Sequence, residues 1–123
     1  MPGHRSLIAW QKAMDLTVAC YTVSQSLPRA RHGALANQML RASVSVPANI
    51  AEGNGRGTDK DFAHFLDISM GSLGEVDTYV ELSDRLHLVK RSTTTELFRQ
   101  VEEVGRVVHG LRRSKRGVEN PSV

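Results

Sequence analysis

The sequence has little cysteine, few aromatic residues and no long hydrophobic run. Its single cysteine, Cys20, cannot form an intrachain disulfide, which fits a reducing compartment. The longest apolar stretch, near residues 16–23, contains two threonines and falls far short of the ~20 residues that cross a bilayer. The amino-terminal residues lack the uniform apolar core of a signal peptide. We therefore expect a cytoplasmic protein with no membrane partner.

Charged residues of both signs are present, but they are distributed unevenly along the 123 residues. Residues 1–57 carry six basic and two acidic side chains, residues 58–84 carry one and seven, and residues 85–123 carry nine and four. The basic segments would attract an anionic polymer, and the acidic middle segment would repel it. Length and composition indicate one globular domain over residues 1–117, followed by a flexible tail over residues 118–123.

Apolar residues recur at steps of three and four in four segments, which is the spacing of one helix face. The first segment spans residues 6–26, with Ser6 as its predicted N-cap and the Leu27-Pro28 pair as its end. Its predicted buried stripe consists of Leu7, Trp10, Met14, Val18 and Tyr21. Cys20 is expected to be a small core residue rather than a reactive thiol.

The second segment begins after Gly33 and ends at the glycine-rich run of residues 53–57. Its predicted stripe consists of Leu35, Met39, Ala42, Val46 and Ile50. Pro47 lies inside this segment and predicts a kink, because proline lacks the backbone N–H that a helix needs. Ser43 and Ser45 are candidates to supply a hydroxyl to the freed carbonyls.

The last two segments follow the same rule. The third opens at Thr58, its predicted N-cap, and its stripe consists of Phe62, Phe65, Ser69, Leu73, Val76, Val80, Ser83 and Leu86. The fourth begins near residues 92–95, with Thr93 and Glu96 in capping-box spacing, and its stripe consists of Leu97, Val101, Val104, Val108 and Leu111. Because no segment alternates as a strand does, we predict an all-α, antiparallel up-and-down four-helix bundle.

Three stretches resemble one known family. Residues 7–14 (LIAWQKAM) are similar to the opening of the bacterial four helix bundle proteins, also called 23S rRNA intervening-sequence proteins. Residues 38–53 (QMLRASVSVPANIAEG) nearly match the family signature Q-x-x-R-A-x-x-S-x-P-x-N-I-A-E-G, and residues 70–75 (MGSLGE) lie near a further family pattern. Leu27 departs from the phenylalanine that the family often has before this proline.

The resemblance implies a four-helix bundle that assembles as a ring-like homo-oligomer, most often a pentamer. Accessory proteins of diversity-generating retroelements share this architecture and act beside a reverse transcriptase, with a basic surface for nucleic acid. The family has no established enzymatic activity. A nucleic acid, a reverse transcriptase-like protein or another protein is therefore an implied partner.

The polar signature residues have two interpretations. These residues are Gln38, Arg41, Ser45, Pro47, Asn49, Glu52 and Gly53. Several recur at steps of three and four, so they share one helix face beside the apolar stripe. Either they form a hydrogen-bonded network that satisfies the Pro47 kink and fixes helix register or subunit contacts, or they bind a polar ligand. We favour the structural interpretation.

Metal-dependent catalysis is the weakest hypothesis. Ferritin-like bundles use Glu-x-x-His pairs from different helices, and the pairs Asp61/His64 and Asp84/His87 have this spacing. Both pairs lie on the third segment, roughly 35 Å apart, so they cannot converge on one ion within a subunit. The glycine run follows a helix and lacks Gly-Lys-Ser/Thr, which excludes a P-loop context. We expect no catalytic residue, metal or cofactor.

Nucleic-acid binding through backbone phosphates is the leading hypothesis, and a protein-interaction scaffold is the alternative. The candidate contacts are Arg29, Arg31, Arg56, Lys90, Arg91, Arg112, Arg113, Lys115 and Arg116. In an antiparallel bundle the connections after the first and third helices meet at one end, and the other candidates lie at the opposite end. Few aromatics are free for base stacking, so we expect weak sequence preference and strong salt dependence.

Overall fold

The computed structural model describes residues 3–116. A short 3₁₀ turn (Gly3–Ser6) leads into four helices, α1 (Ile8–Ser26), α2 (Arg29–Asn54), α3 (Asp59–Arg85) and α4 (Arg91–Arg116). Each helix packs against the next along the chain, and α4 packs back against α1. The described residues contain no strand, so the predicted all-α four-helix bundle is confirmed. The predicted tail, residues 118–123, lies outside the described residues.

Contacts between neighbouring helices run in opposite order, as an antiparallel bundle requires. On α2, Ser45 contacts Ser72 of α3, whereas Gly53, further along α2, lies against Phe62. The predicted stripes of α2, α3 and α4 form the core, and their fully buried members include Met39, Val46, Ile50, Val76, Val80, Val104 and Val108. Leu86, the last residue of the α3 stripe, is exposed because the helix has ended.

The predicted stripe of α1 is wrong at Met14, Val18 and Tyr21, whereas Leu7 and Trp10 are partly buried against the core. The residues that α1 buries are Ala9, Ala13, Leu16, Cys20 and Val23. Met14, Val18 and Tyr21 instead face outward, with 37%, 62% and 52% of their surfaces exposed. Both sets fit helical spacing, because α1 carries apolar residues on most of its circumference. The set with the small alanines faces the core, where it lets the neighbouring helices approach closely.

Several helix boundaries also differ from the predictions. Ser6 is not the N-cap of α1, because its hydroxyl donates to the carbonyl of Gly3 and Leu7 occupies the cap position. The helix α2 begins at Arg29 rather than after Gly33, and its one non-helical residue is His32. Thr58 is confirmed as the cap of α3, since its hydroxyl accepts from the backbone N–H of Asp61 at 3.1 Å.

The kink predicted at Pro47 does not appear in the backbone dihedrals of α2. Proline leaves the carbonyl of Ser43, four residues earlier, without its helical donor. The hydroxyl of Thr17 on α1 lies 2.9 Å from this carbonyl and 3.0 Å from that of Ala13, so its one hydrogen is shared between the two and supplies the missing donor. The hydroxyl partner is therefore on the neighbouring helix, not on Ser43 or Ser45 as predicted.

Two further findings complete the fold. Cys20 is fully buried, and burial raises the pKa of its thiol to about 11, so the thiol is protonated at neutral pH. A protonated, enclosed thiol is a poor nucleophile. Among residues 3–116, no helix has both the length and the apolar character that crossing a membrane demands.

Candidate nucleic-acid interface

One end of the bundle is formed by the α1–α2 and α3–α4 connections, and we call it the basic end. Ser26, at the end of α1, lines a cavity there together with residues 87–90. Arg29 and Arg31 follow on the first turn of α2, and both are exposed. Lys90 precedes α4 and is also exposed. The structure therefore brings these predicted cations to one end of the molecule.

The cations of the basic end differ in how they are held. Arg91 lies 3.2 Å from the carboxylate of Asp84, which also accepts a hydrogen bond from the Thr94 hydroxyl at 2.8 Å. Among the described residues, Arg29, Arg31 and Lys90 form no ion pair. Their charges are available to an anionic partner, whereas that of Arg91 is partly neutralised.

The opposite end contains the 3₁₀ turn, the α2–α3 connection and the last turns of α4, and we call it the paired end. Arg56 contacts Glu52 at 2.9 Å and lies 4.8 Å from the ring centre of Phe65. Lys115 contacts Asp59 at 3.8 Å and lies over Phe62. The predicted cations at this end are therefore largely occupied by neighbouring side chains.

The carboxyl-terminal part of α4 contains both a paired and an unpaired cation among the described residues. Arg112 pairs with Asp67 of α3. Arg113 is exposed and has no ion partner in the described part of the chain. Arg116 ends α4. Asp59 in the first turn of α3, where an acid complements the helix dipole, and Asp67 further along the same helix both lie beside the end of α4.

Two adjoining cavities open at the basic end, between the last turns of α1 and the first turns of α4. Their volumes are about 640 and 400 Å³, and both are lined by Thr22, Val23 and Thr93. Ser26 and residues 87–90 complete the first, and Ala19, Ser92, Glu96 and Leu97 complete the second. We call the two together the α1–α4 cleft.

The rim of this cleft includes a residue in an uncommon conformation. His87 has a φ of 55°, in the left-handed region where glycine is the usual residue. Its N–H bonds the carbonyl of Asp84 at 3.1 Å, and the N–H of Leu88 bonds that of Ser83 at 3.0 Å. This pair of bonds is the Schellman motif that ends a helix. The cost of placing a histidine there identifies the position as one to explain by function.

Most of the signature residues of α2 serve the fold. Asn49 donates to the carbonyl and the hydroxyl of Ser45 at 2.8 and 2.9 Å, and Ser72 of α3 donates to the same hydroxyl at 2.8 Å. A Cβ on Gly53 would lie 2.8 Å from the Cβ of Phe65, so only glycine lets α2 and α3 approach this closely. Hydrogen bonds of the predicted network are therefore present at Ser45 and Asn49, whereas Gly53 serves close packing.

Three signature residues remain without a role in the packing. Gln38, Arg41 and Glu52 are exposed on α2, and Arg41 has no ion partner within residues 3–116. Glu52 contacts only Arg56, its neighbour on the next turn. The exposed Val44 lies on the same helix, so part of the signature faces outward with both charged and apolar groups.

The proposed metal pairs do not form a site in the structure. Asp84 is engaged by Arg91 and Thr94, and Asp61 is exposed in the first turn of α3. The described part of the chain contains no group of three or more histidine, cysteine, aspartate or glutamate side chains that could hold a metal ion.

The sequence analysis missed the α1–α4 cleft and His87. The cleft depends on how far α1 and α4 separate at one end, and the residues that line it are ordinary helix residues. The only sequence signal was the absence of glycine between α3 and α4, where a helix ending usually has one.

Comparisons with known proteins agree with this architecture. A family model described as 23S rRNA-intervening sequence protein matches residues 5–110. Six chains of known structure match, and one is a protein of unknown function from the S23 ribosomal protein family of Bacteroides thetaiotaomicron VPI-5482. It is 19% identical, with a TM-score of 0.80, and the similarity covers 86% of this chain and 99% of that one. A comparison with curated proteins finds no match.

Proposed function

Because the chain belongs to the 23S rRNA-intervening sequence protein family, we propose that it is a non-enzymatic bundle that binds RNA or DNA through backbone phosphates at its basic end. The observation that carries this proposal is the contrast in charge pairing between the two ends. At the basic end, Arg29, Arg31 and Lys90 are exposed and free of ion partners among the described residues, and Arg91 is paired. At the other end, Arg56, Arg112 and Lys115 are paired, and Arg113, within residues 3–116, is not. Unpaired cations on one surface are the usual footprint of phosphate binding.

Self-association into a ring, most simply a pentamer, is the second part of the proposal. Its support is the outward stripe of α1, formed by Met14, Val18 and Tyr21, together with Val44 of α2. The hydrogen bond between Thr17 and Ser43 places Val18 and Val44 at the same level of the two helices. A patch of this kind is typical of an interface. A ring would repeat the basic end around an axis and strengthen phosphate binding by multivalency.

Binding to a structured RNA, measured across salt concentration, tests the phosphate contacts. The test variant replaces Arg29, Arg31 and Lys90 with glutamine, and the matched control replaces Arg5, Lys60 and Arg106, which are not candidate contacts. Each variant loses three positive charges, so a general effect of net charge is held constant. We expect the test variant to flatten the slope of log K against log salt by about 0.7–0.9 for each lost contact.

Two outcomes would contradict the proposal. The first is a wild-type slope near zero, and the second is an equal loss in both variants. Sedimentation of the wild type and of Val18→Asp tests the ring separately, because a charge in the stripe should dissociate the assembly while sparing the monomer fold.

A protein-interaction scaffold is the second candidate function. The exposed signature residues Gln38, Arg41 and Glu52 favour it, because packing within the bundle does not require them. Their partner would be a reverse transcriptase-like or another protein. A salt slope near zero, combined with a stable assembly, would favour this candidate over nucleic-acid binding.

A further inference from the structure

We propose that the α1–α4 cleft binds one unpaired nucleotide, with its phosphate at His87 and Lys90 and its sugar and base along the wall shared by α1 and α4. The inference rests on the proposed nucleic-acid function and adds a specific site to it. Three properties of the cleft carry the argument, namely its size, the arrangement of its chemical groups and its charge.

The size of the cleft matches a nucleotide better than a bare anion. The larger cavity, of about 640 Å³, is within the range of small-molecule sites, and the second adds about 400 Å³. The two cavities share Thr22, Val23 and Thr93, so a ligand can extend from one into the other. A phosphate ion alone would leave most of this space to water.

The groups along the cleft follow the order of the parts of a nucleotide. His87 and Lys90 line only the first cavity and can both donate to a phosphate, whereas Leu97 and Glu96 line only the second. The floor is apolar, with Val23 and Leu97 buried beneath it. A sugar or a base can make apolar contacts with such a floor, whereas an inorganic ion cannot.

The hydroxyl groups of the cleft supply the polar contacts that a base or ribose needs. Thr22 and Ser26 donate their hydrogens to carbonyls of their own helix, at 3.1 and 2.7 Å, so their oxygens remain as acceptors. Thr93 makes no side-chain hydrogen bond within residues 3–116, so its hydroxyl can donate. Acceptors and a donor on an apolar wall fit amide, amino and hydroxyl groups of a nucleoside.

The charge distribution orients the ligand. Arg99 donates to both carboxylate oxygens of Glu96, at 3.0 and 2.7 Å, and these hydrogen bonds lower the pKa of Glu96. This side of the cleft therefore carries an ion pair, whereas Lys90 at the other side has no ion partner in the described part of the chain. The phosphate is directed towards His87 and Lys90, and the base towards Glu96.

A base inside a duplex cannot reach this floor, because it is paired and stacked. The cleft therefore selects a nucleotide at a bulge, a loop or a strand end, where splaying the base out costs least. The free cations Arg29 and Arg31 would hold the flanking phosphates at the same end of the bundle.

The left-handed conformation of His87 provides an unusually clean test. Glycine adopts this conformation without strain, so His87→Gly removes the imidazole and should leave the fold at least as stable. A loss of binding in this variant cannot be ascribed to unfolding. Lys90→Gln removes the second donor, and Lys60→Gln at the paired end serves as the control for lost charge.

The experiment titrates the full-length protein with uridine 5′-monophosphate, uridine and inorganic phosphate, followed by NMR chemical shifts. We expect the monophosphate to bind at least about tenfold more tightly than uridine or phosphate, with shifts at Thr22, His87 and Thr93. His87→Gly and Lys90→Gln should each lower the affinity for the monophosphate by about tenfold, and Lys60→Gln should leave that affinity unchanged.

Each contrary result is distinguishable. Equal affinity for phosphate and the monophosphate would show that the cleft binds only an anion. Unchanged binding in His87→Gly would show that the imidazole does not contact the phosphate. Absence of monophosphate binding, with salt-dependent binding of a fully paired duplex intact, would overturn this inference and leave the proposed function standing. Monophosphate binding without binding of any polymer would overturn the proposed function instead.

Discussion

The two ends of this bundle carry the same kinds of residues and use them differently. At the paired end, Lys115 and Arg112 are held by Asp59 and Asp67, and Gly53 lets α2 and α3 close against each other. At the basic end, α1 and α4 separate to form a cleft, and its cations are mostly free among the described residues. A positive charge near a helix end is thus neutralised where an acid of a neighbouring helix lies within reach, and otherwise stays available.

The difference arises from the direction of α3. Acidic side chains are stabilising at the start of a helix, so Asp59 and Asp61 occupy the first turn of α3. The antiparallel arrangement puts this turn beside the cationic end of α4. At its other end α3 presents Glu81 and Asp84, and these are engaged by Arg85 and Arg91. No acid is then left for Lys90.

The largest expected effect tests the close packing of the paired end. Gly53→Ala should lower the free energy of unfolding by about 2–3 kcal/mol, because the added Cβ would meet the Cβ of Phe65 at 2.8 Å. Gly74→Ala on α3 is the control, since a Cβ there meets nothing within 4 Å and should stabilise the helix by up to about 1 kcal/mol. Denaturant unfolding measures both free energies. Equal changes in the two variants would show that α2 and α3 can move apart to accept a Cβ at residue 53 without loss of stability.

The next effect concerns the hydrogen bond that joins α1 to α2 in the middle of the bundle. Thr17→Val should cost about 1–2 kcal/mol, because it leaves the carbonyl of Ser43 without a donor beside Pro47. In a Pro47→Ala background the backbone N–H returns, and the cost should fall. A double-mutant cycle measures this coupling. Additive effects would contradict the compensation between Thr17 and Pro47.

At the basic end we expect a change of the opposite sign. His87→Gly should raise the free energy of unfolding by about 1 kcal/mol, since it relieves the left-handed conformation at the end of α3. His109→Gly, on the exposed face of α4, should lower it because glycine is a poor helix former. Thermal unfolding distinguishes the two. A loss of stability in His87→Gly would mean that the imidazole contributes to the fold.

The smallest effect concerns the ion pairs of the paired end. Arg112→Gln should cost less than about 1 kcal/mol, and the cost should shrink as salt is added, because surface ion pairs are screened. Unfolding at low and high salt measures it. A large cost that is independent of salt would mean that packing of the Arg112 stem, rather than charge, holds the end of α4 in place.

The spacing of apolar residues, together with helix-capping and helix-breaking residues, was enough to predict most of the fold. The helices α2, α3 and α4 each have one apolar face and one polar face, so only one orientation of each helix buries its apolar side chains. Thr58 is followed by acidic residues, which identifies the start of α3. The signature on α2 combined Ser45 and Asn49, which form hydrogen bonds, with Gln38, Arg41 and Glu52, which are exposed. Thr17, which bonds the carbonyl freed by Pro47, lies on a helix that no local pattern connects to it.

The sequence by itself determined four amphipathic helices, their order and which cations lie at each end, because these depend on local spacing and chain direction. Tertiary structure alone decided which face of α1 is buried, since two apolar sets have the same helical spacing and only packing against α2 and α4 separates them. It also decided which cations are free, because pairing depends on the acids that a neighbouring helix brings within reach. The cleft and the left-handed His87 belong to the same class, as both result from how α1, α3 and α4 meet in space.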